Sequence, residues 1–303
     1  MKGVWPARRS VTMPPTDEPS RSTRRTFLRT GAAATVGLAT SAAGCLSGLP
    51  PLGSRPAYGR VDVPDVGPPA YRRWLPARET PDGTEDWILT YAEPDPFEGP
   101  VPEEFVARRG LLRAELDHFG IGYENYDGLV TTNLATVIEA GFAADRVGST
   151  LADTGYQPDG TYRGYDLYAR SDVPRRVAVG TGVIVWTSHR IHDQPDLEAT
   201  IDAGHGHAER YHESDDAFAA ITEAVGASRM LFVGGSHPGL RPAVAGTGAD
   251  AFRTDDDAAY HLLVERYPTD VEPSAEATKR ALEEQRHQLT TEAETVDVGV
   301  DGR

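Results

Sequence analysis

Residues 176–187 read RVAVGTGVIVWT, two short apolar runs joined by the triplet Gly180-Thr181-Gly182. Valine, isoleucine, threonine and tryptophan favour strands because their side chains pack well on a pleated surface. A glycine-rich turn between two such runs is typical of a β-hairpin, since glycine adopts the backbone angles that a tight turn requires. The stretch therefore predicts an antiparallel pair of strands near the centre of the folded region.

Short apolar strands, acidic or proline-containing turns and amphipathic helices recur on both sides of this hairpin. Further strands are predicted at Trp87–Ala92, within Tyr126–Glu139, and at Tyr162–Ala169, Met230–Val233, Tyr260–Glu265 and Val296–Val300. Helices are predicted from Pro102 to about His118, over Arg146–Thr154 and Pro195–Gly204, from a cap at Ser214 to Val225, and over Ser274–His287. The pattern predicts an α+β fold with a mixed, largely antiparallel sheet and helices packed on it. The segments around Val137–Glu139 and Leu262–Glu265 also suggest a weak strand–helix duplication.

A second pattern, near the N-terminus, predicts export. Arg24-Arg25 is followed by Phe27-Leu28 and then by a run of small apolar residues over 30–44. A basic segment, an apolar segment and a small-residue end follow one another in the order of a secretory signal. The paired arginines are typical of the twin-arginine type. The apolar run is shorter than the roughly 20 residues that a transmembrane helix needs.

The signal ends on the only cysteine of the chain, in the sequence Ala42-Ala43-Gly44-Cys45. This resembles a lipobox, in which the cysteine thiol receives a diacylglyceryl-type lipid and becomes the first residue of the mature protein. Two acyl chains hold a soluble domain on a membrane, because each buried methylene contributes about 0.8 kcal/mol. We therefore expect two partners, the export machinery and the membrane through the lipid on Cys45. The expected location is the extracellular face of the cell membrane.

These signals divide the chain into three parts. Residues 1–44 are the leader and signal peptide, and residues 45–70 are a lipid-anchored tether rich in proline and glycine. Residues 71–303 are a single α+β domain, with a weaker sub-boundary expected near 236–256. Since one cysteine cannot form an internal disulfide, this domain depends on its core for stability.

The charge composition is strongly acidic. Without residues 1–44, which hold seven basic and two acidic side chains, 23 basic and 44 acidic side chains remain, a net charge of −21. Nucleic acid is excluded as a partner, because phosphate binding needs clustered lysine and arginine. The only lysines are Lys2 and Lys279. Many acids with almost no lysine are typical of extreme halophiles, whose carboxylates keep a protein surface hydrated and soluble.

Part of the chain resembles a known group of proteins. The landmarks lie within 137–186 and include Gly141-Phe142, Gly155-Tyr156, Tyr162–Tyr168 and Val177-Ala178-Val179. Their spacing is similar to that of an uncharacterised family of haloarchaeal, twin-arginine-exported lipoproteins. The resemblance implies a lineage and a location on the cell surface, and it supplies no catalytic residues.

Histidine provides the strongest candidate for chemistry. Five of the nine histidines form a cluster in the sequence, namely His189, His192, His205, His207 and His212. The first two follow the strand that ends at Thr187 and the next two follow the helix that ends at Gly204, so both ends can meet above the sheet. Neutral imidazoles suit Cu(II) or Zn(II), with Asp193 or Asp202 as a carboxylate partner. No HExxH motif supports such a site, and the alternative is that these are solvated loop histidines.

Aromatic residues give a second candidate site. Tyr162, Tyr165 and Tyr168 lie close to the central hairpin and are predicted to line a groove for a sugar or a peptide. The alternative is that these tyrosines belong to the face of the sheet or to the edge of the core.

No stretch carries a catalytic signature. Pro238 stands where a nucleophile elbow around Ser236 needs glycine, so this stretch is predicted to be a turn, as is Gly246-Thr247-Gly248. The sequence identifies no cofactor. It favours a non-enzymatic binding or scaffolding domain on the cell surface with an unknown ligand. The alternative is a metal-binding protein or metal-assisted hydrolase that uses the histidine cluster.

Overall fold

The computed structural model describes residues 57–77, 88–94, 119–235, 247–267, 272, 274–285 and 295–300. The predicted export signal, Cys45, the helix predicted to begin at Pro102 and the turn at Ser236 lie outside these residues. Residues Arg55–Arg303 form one compact structural unit.

Ten strands form one sheet in which every neighbouring pair is antiparallel. The strands of the described residues are β1 (Ala57–Tyr58), β2 (Leu89–Ala92), β3 (Tyr126–Thr132), β4 (Thr136–Ala140), β5 (Gln157–Tyr162), β6 (Tyr165–Arg170), β7 (Arg175–Val179), β8 (Val183–Ser188), β9 (Met230–Gly235), β10 (Thr247–Thr254), β11 (Ala259–Glu265) and β12 (Thr295–Val296). The order across the large sheet is β11-β10-β9-β2-β3-β4-β8-β7-β6-β5, while β1 and β12 form a separate parallel pair. The predicted α+β fold with a largely antiparallel sheet is confirmed.

The predicted central hairpin is confirmed as β7 and β8. Val179 pairs with Ile184, and the Gly180 N–H donates to the Val183 carbonyl at 2.8 Å to close the turn. Gly182 has a φ of +71°, which glycine adopts without the steric cost of a side chain. Both strands have a neighbour on each side, so the hairpin lies inside the sheet.

Helices cover both faces of the sheet. They are α1 (Ala144–Asp153), α2 (Leu197–Gly204), α3 (Tyr211–Ser214), α4 (Asp216–Val225) and α5 (Ala275–Gln285), with 3-10 helices at Ala70–Trp74 and Tyr123–Asn125. Asp196 caps α2 by accepting from the Ala199 N–H at 2.9 Å, and Asp215 caps α4 by accepting from the Phe218 N–H at 2.7 Å. None of the helices in the described residues combines the length and apolar character that crossing a bilayer requires.

The sheet separates two hydrophobic cores, because alternate residues of a strand point to opposite faces. One core contains Val137 with Leu197 of α2 and Phe218 of α4. The other core contains Ile138 with Val147 of α1. Burial on both faces explains why the central hairpin is apolar at nearly every position.

Residues 57–70, the second half of the predicted tether, are held against the domain. The Gly67 carbonyl accepts from the Ala227 N–H at 3.1 Å, and the Pro64 carbonyl accepts from Arg253 Nη1 at 3.0 Å. In addition, β1 pairs with β12. The tether prediction is therefore wrong for this segment, which belongs to the domain.

The predicted strand over Tyr162–Ala169 contains a turn. Arg163-Gly164 joins β5 to β6, with Tyr162 paired to Tyr165 across it. The region predicted as one strand is therefore a hairpin of two strands. Its first strand, β5, begins at Gln157, before the predicted start at Tyr162. A two-residue turn allows Tyr162 and Tyr165 to pair directly, and its backbone twist matches that of the flanking strands.

The C-terminal third also differs from the prediction. Thr247 and Gly248, predicted to lie in a turn, belong to β10, which pairs with β9 on one side and β11 on the other. One sheet therefore runs through the sub-boundary expected near 236–256, and that prediction is wrong. The edge strand predicted over Val296–Val300 is limited to β12. Both β4 and β11 are followed by a helix, α1 and α5, and the duplication itself stays a prediction.

Candidate functional site

The five clustered histidines do not form a metal site. Within the described ranges, no three His, Cys, Asp or Glu side chains are grouped so as to hold a metal ion. His189 is exposed after β8, and His205 and His207 are exposed after α2 with ring centroids 6.4 Å apart. His212 is half-buried in α3, where burial lowers its pKa. The predicted metal cluster is wrong because His192 points into the core while the others lie along the surface.

His192 is a structural residue of the core beside Trp186. Its Nδ1 accepts from the Ser188 N–H at 2.9 Å, and its Nε2 lies 3.1 Å from Thr136 Oγ1. The ring meets the Trp186 ring edge-on with centroids 5.2 Å apart. Burial lowers the pKa of His192 to about 4. The imidazole is therefore neutral at neutral pH, and both of its nitrogens are engaged within the protein.

The three tyrosines predicted to line a groove lie on two different faces of the sheet. Tyr162 and Tyr165 pack on the core that contains α2. Tyr168 packs on the other core, where its hydroxyl lies 2.6 Å from the position that a Cβ on Gly148 of α1 would take. A groove that contains all three tyrosines is therefore excluded, because successive positions of β6 alternate between the faces.

An open cleft of about 320 Å³ lies beside Tyr165, where four segments meet. These segments are the 3-10 helix Ala70–Trp74, the β5–β6 turn, the β7–β8 turn and the end of α2. The lining residues, which define the Trp74–Tyr165 cleft, are Arg73, Trp74, Arg163, Gly164, Tyr165, Gly180, Thr181, Val183, Gly204 and His205. Its volume is at the lower end of the roughly 300–1,000 Å³ of ligand pockets.

Two glycines make room for the aromatic rings of this cleft. A Cβ on Gly204 would lie 2.0 Å from Trp74 Cζ3, and a Cβ on Gly180 would lie 2.5 Å from Tyr165 Cε1. Both rings therefore lie directly on backbone. Trp74 is only 3% exposed and Tyr165 5%, so packing fixes the position of both rings.

Two arginines line the cleft, and a carboxylate holds each of them. Arg73 forms an ion pair with Glu139, which also accepts from Trp74 Nε1 at 2.8 Å. Arg163 forms an ion pair with Asp202 of α2. The two ion pairs connect the 3-10 helix to β4 and the β5–β6 turn to α2, and so hold the edges of the cleft together.

Asp202 accepts hydrogen bonds from a tyrosine as well as from its arginine. Both of its oxygens lie 3.0 Å from the Tyr162 hydroxyl, which donates to them. Burial alone would raise the pKa of Asp202, but the hydrogen bonds from Arg163 and Tyr162 outweigh it and lower that pKa. The carboxylate therefore stays ionised and keeps the Arg163 guanidinium in place.

Arg163 adopts an unusual backbone conformation. Among the described residues it is the only non-glycine with a positive φ, at +48°, and Gly164 follows with a φ of +85°. Such angles belong to a type I′ hairpin turn, where Asn, Asp and Gly are preferred. Residues such as arginine rarely adopt a positive φ. An arginine held in this conformation suggests that its side chain has a role at this position.

A hydrogen bond also connects β6 to the end of α2. The Tyr165 hydroxyl lies 3.0 Å from His205 Nε2. Burial raises the pKa of Tyr165, so the phenol stays protonated at neutral pH. The ring and hydroxyl of Tyr165 are therefore both fixed, one by Gly180 and the other by His205.

A second open cleft of about 320 Å³ lies between β1, β12 and α5. Lys279 Nζ lies 4.2 Å from the centroid of the Tyr58 ring there, and Glu276 and Asp297 also line it. None of these four side chains is buried. Because its walls are not fixed by packing, this cleft is a weaker candidate than the Trp74–Tyr165 cleft.

Sequence reasoning identified Tyr165 and His205 but missed Arg73, Trp74 and Arg163. A usable signal existed for Arg163, because Arg163-Gly164 between two tyrosines has the form of a two-residue hairpin turn. Trp74 carried no comparable signal. It packs on Gly204 of α2, which is far away in the sequence, so no local pattern indicates this contact.

No protein-family model matches this chain, and no curated protein matches it. Two solved structures of TP0453, in crystal forms I and III, align with it at a TM-score of 0.43 each. The sequence identities are 8% and 10%, and each alignment covers 72% of this chain and 86% of TP0453. At these values the similarity carries no information about function.

Proposed function

We propose that this chain is an exported, lipid-anchored protein on the surface of a halophilic archaeon, whose α+β domain binds a ligand in the Trp74–Tyr165 cleft. The observation that carries the proposal is the construction of the cleft. Two buried rings lie directly on Gly180 and Gly204, and two ion-paired arginines line the same cleft. A wall fixed before binding reduces the ordering cost that a ligand would otherwise meet.

The location is supported by the N-terminal sequence. Arg24-Arg25, Phe27-Leu28 and the small apolar run that ends at Cys45 follow the order of a twin-arginine lipoprotein signal. This location implies two partners. One is the membrane, which the protein contacts through a lipid on Cys45, and the other is the export machinery. The proposed relatives are the haloarchaeal twin-arginine-exported lipoproteins that residues 137–186 resemble.

Binding is favoured over catalysis by the way the polar groups of the cleft are used. General acid–base catalysis works best when the pKa of the group lies near the ambient pH. Burial instead raises the pKa of Tyr165, and its hydroxyl is engaged with His205. Arg73 and Arg163 are each oriented by a carboxylate, which is an arrangement suited to recognition.

The location is tested by two variants in the native host. Cys45→Ser should release the domain from the membrane fraction into the medium. Replacing Arg24 and Arg25 with lysines should leave the protein inside the cell. Cell fractionation with an antibody against the domain measures both, and full membrane retention of Cys45→Ser would overturn the lipid anchor.

The binding role is tested with a variant that fills the cleft. Gly180→Ala places a Cβ 2.5 Å from Tyr165 Cε1 and should push the ring into the cleft. Calorimetric titration of the purified full chain with a panel of small solutes should give ligands that the unaltered protein binds and Gly180→Ala does not. Ligands bound equally by both proteins would show that the site lies elsewhere.

A further inference from the structure

We propose that the ligand of the Trp74–Tyr165 cleft is a small solute that carries an oxyanion, a carboxylate or a phosphate, which Arg73 and Arg163 bind. This inference rests on the proposed function, since it names the ligand class of that same site. It follows from the charges, the donor geometry and the size of the cleft.

The cleft differs in charge from the rest of the molecule. None of the described residues that line it is acidic and two are arginine, although the chain has 46 Asp and Glu against 30 Lys and Arg. The overall negative field repels anions, but the Debye length falls to about 3 Å at 1 M salt. In molar salt the hydrogen-bond donors inside the cleft therefore decide which charge is bound.

Both guanidinium groups keep donors for a ligand. Arg73 donates to Glu139 through Nη2, and Arg163 donates to Asp202 through Nε. A guanidinium has five N–H donors in a planar fork, and the two arginine side chains are 46% and 40% exposed. In each case the carboxylate engages one nitrogen and orients the planar group, while the side chain stays partly exposed to solvent. This fork geometry matches the two oxygens of a carboxylate or phosphate.

The helix end beside the cleft opposes an anion, and a neighbouring residue offsets this effect. The end of α2 lines the cleft at Gly204, and the carbonyl end of a helix carries a partial negative charge. Arg210 Nε donates to the Ala203 carbonyl at 3.1 Å. This places a positive charge on that helix end and compensates the dipole.

The fixed rings and the volume limit the body of the solute. Trp74 and Tyr165 supply an apolar wall, while the cleft encloses about 320 Å³. A compact molecule with an apolar or ring-shaped part beside its oxyanion fits both features. A polymer or a protein surface does not fit, because the walls come from one short 3-10 helix, two tight turns and one helix end.

The experiment compares charged and neutral probes on the full chain. Isothermal titration calorimetry at constant ionic strength measures the affinity of the protein for three probes. These are benzoate, inorganic phosphate and benzamide, which is the neutral counterpart of benzoate. We expect at least one of the two anions to bind, with benzamide weaker than benzoate by about tenfold or more, since a charge-assisted hydrogen bond is lost. Benzoate alone would identify a carboxylate ligand, and phosphate alone would identify a phosphate ligand.

Three variants assign the binding to the two arginines. Arg163→Asn and Arg73→Gln should each weaken the anion by about tenfold. Asparagine tolerates a positive φ, so Arg163→Asn removes the charge without straining the turn, and its unfolding midpoint confirms this. Arg146→Gln is the matched control, because Arg146 is exposed on α1 at the opposite face of the sheet. Its affinity should be unchanged.

The outcomes separate this inference from the proposed function. Equal binding of benzamide and benzoate, with both lost in Gly180→Ala, would keep the cleft as the binding site and overturn the oxyanion. If Arg146→Gln weakened anion binding as much as the two cleft variants do, the effect would be one of overall charge. That result would also overturn the oxyanion inference. Absence of binding by benzoate and phosphate at millimolar concentrations would do the same. Anion binding that persists unchanged in Gly180→Ala would overturn both proposals.

Discussion

Replacing Gly204 with alanine should destabilise the protein, although the same change inside a helix usually stabilises it. Gly204 is the last residue of α2, and alanine is favoured over glycine in a helix by about 0.5–1 kcal/mol. The added Cβ, however, would lie 2.0 Å from Trp74 Cζ3 and 2.2 Å from Trp74 Cε3. Carbon atoms in good contact are about 3.5–4.0 Å apart, so the tryptophan ring has to move.

The position of Trp74 determines the size of the effect. The ring is 3% exposed and its Nε1 donates to Glu139, so it cannot shift without losing packing or this hydrogen bond. Overpacking a filled site costs about 1–3 kcal/mol. Complete expulsion of a tryptophan exposes about 150–250 Å², which corresponds to roughly 4–6 kcal/mol. After the helix gain is subtracted, we expect a net loss of up to about 2.5 kcal/mol, and more if the ring is expelled.

Gly148→Ala in α1 is the matched control. Its Cβ would lie 2.6 Å from the hydroxyl oxygen of Tyr168, which is the far end of a half-buried side chain. Tyr168 can rotate away at little cost, so the helix gain should remain. The free energy of unfolding of Gly148→Ala should be unchanged or higher by up to about 1 kcal/mol.

Denaturant unfolding followed by far-ultraviolet circular dichroism measures both variants. The midpoints are compared between proteins whose m-values are equal, so that the difference reports stability alone. If Gly204→Ala is as stable as the unaltered protein, or as stable as Gly148→Ala, the contact between Trp74 and the helix backbone does not exist as described.

Three further predictions concern stability. Arg253→Met should lower the free energy of unfolding by about 2–3 kcal/mol in denaturant titrations, because the Arg253 guanidinium donates to the carbonyls of Val225 and Pro64. Stability should fall by up to roughly 3 kcal/mol as the pH is lowered from about 6.5 to 4, since burial lowers the folded-state pKa of His192 from 6.5 to about 4 and protonation therefore favours the unfolded chain. His192→Asn should remove this part of the pH dependence, measured as the denaturation midpoint at each pH. Folding should require molar KCl, and a cooperative, equally stable protein at low salt would contradict the halophilic interpretation.

Local patterns predicted the elements that are defined locally. The helix starts near Asp196 and Asp215 were predictable because each cap consists of one side chain and a backbone N–H three residues away, which is information that a short window contains. The cap of α4 is Asp215, one residue after the predicted Ser214. The hairpin of β7 and β8 was equally accessible, because its glycine-containing turn and apolar strands are adjacent in sequence. Both predictions were confirmed for that reason.

The strand β10 was missed because its polar residues are satisfied at long range. Asp250 is 3% exposed and lies 2.7 Å from His261 Nε2. Arg253 is also buried and donates to carbonyls of α4 and of residue Pro64. A strand with a buried aspartate and a buried arginine looks like a loop in a local window, because the partners that offset the cost of burial lie elsewhere.

The candidate site was hidden for a related reason. Trp74 follows directly on a proline- and glycine-rich stretch that has the composition of a spacer, and its partners Glu139 and Gly204 are distant in sequence. The histidines stand out in the sequence by their number, whereas the cleft depends on two glycines, which have no reactive side chain. The importance of a glycine without a Cβ can be recognised only in the folded structure, where the aromatic ring that packs on it is in place.

The acidity of the chain and the construction of the cleft are consistent with one another. In concentrated salt, long-range attraction between a protein and a charged solute is screened within a few ångströms, so selectivity has to come from donors that are already in position. Arg73 and Arg163 meet this condition because Glu139 and Asp202 hold them. The same carboxylates weaken the attraction of each guanidinium for a second anion. The cleft should therefore recognise an anion through donors held in a fixed geometry, and a neutral solute of the same shape is the sharpest comparison for any anion that it binds.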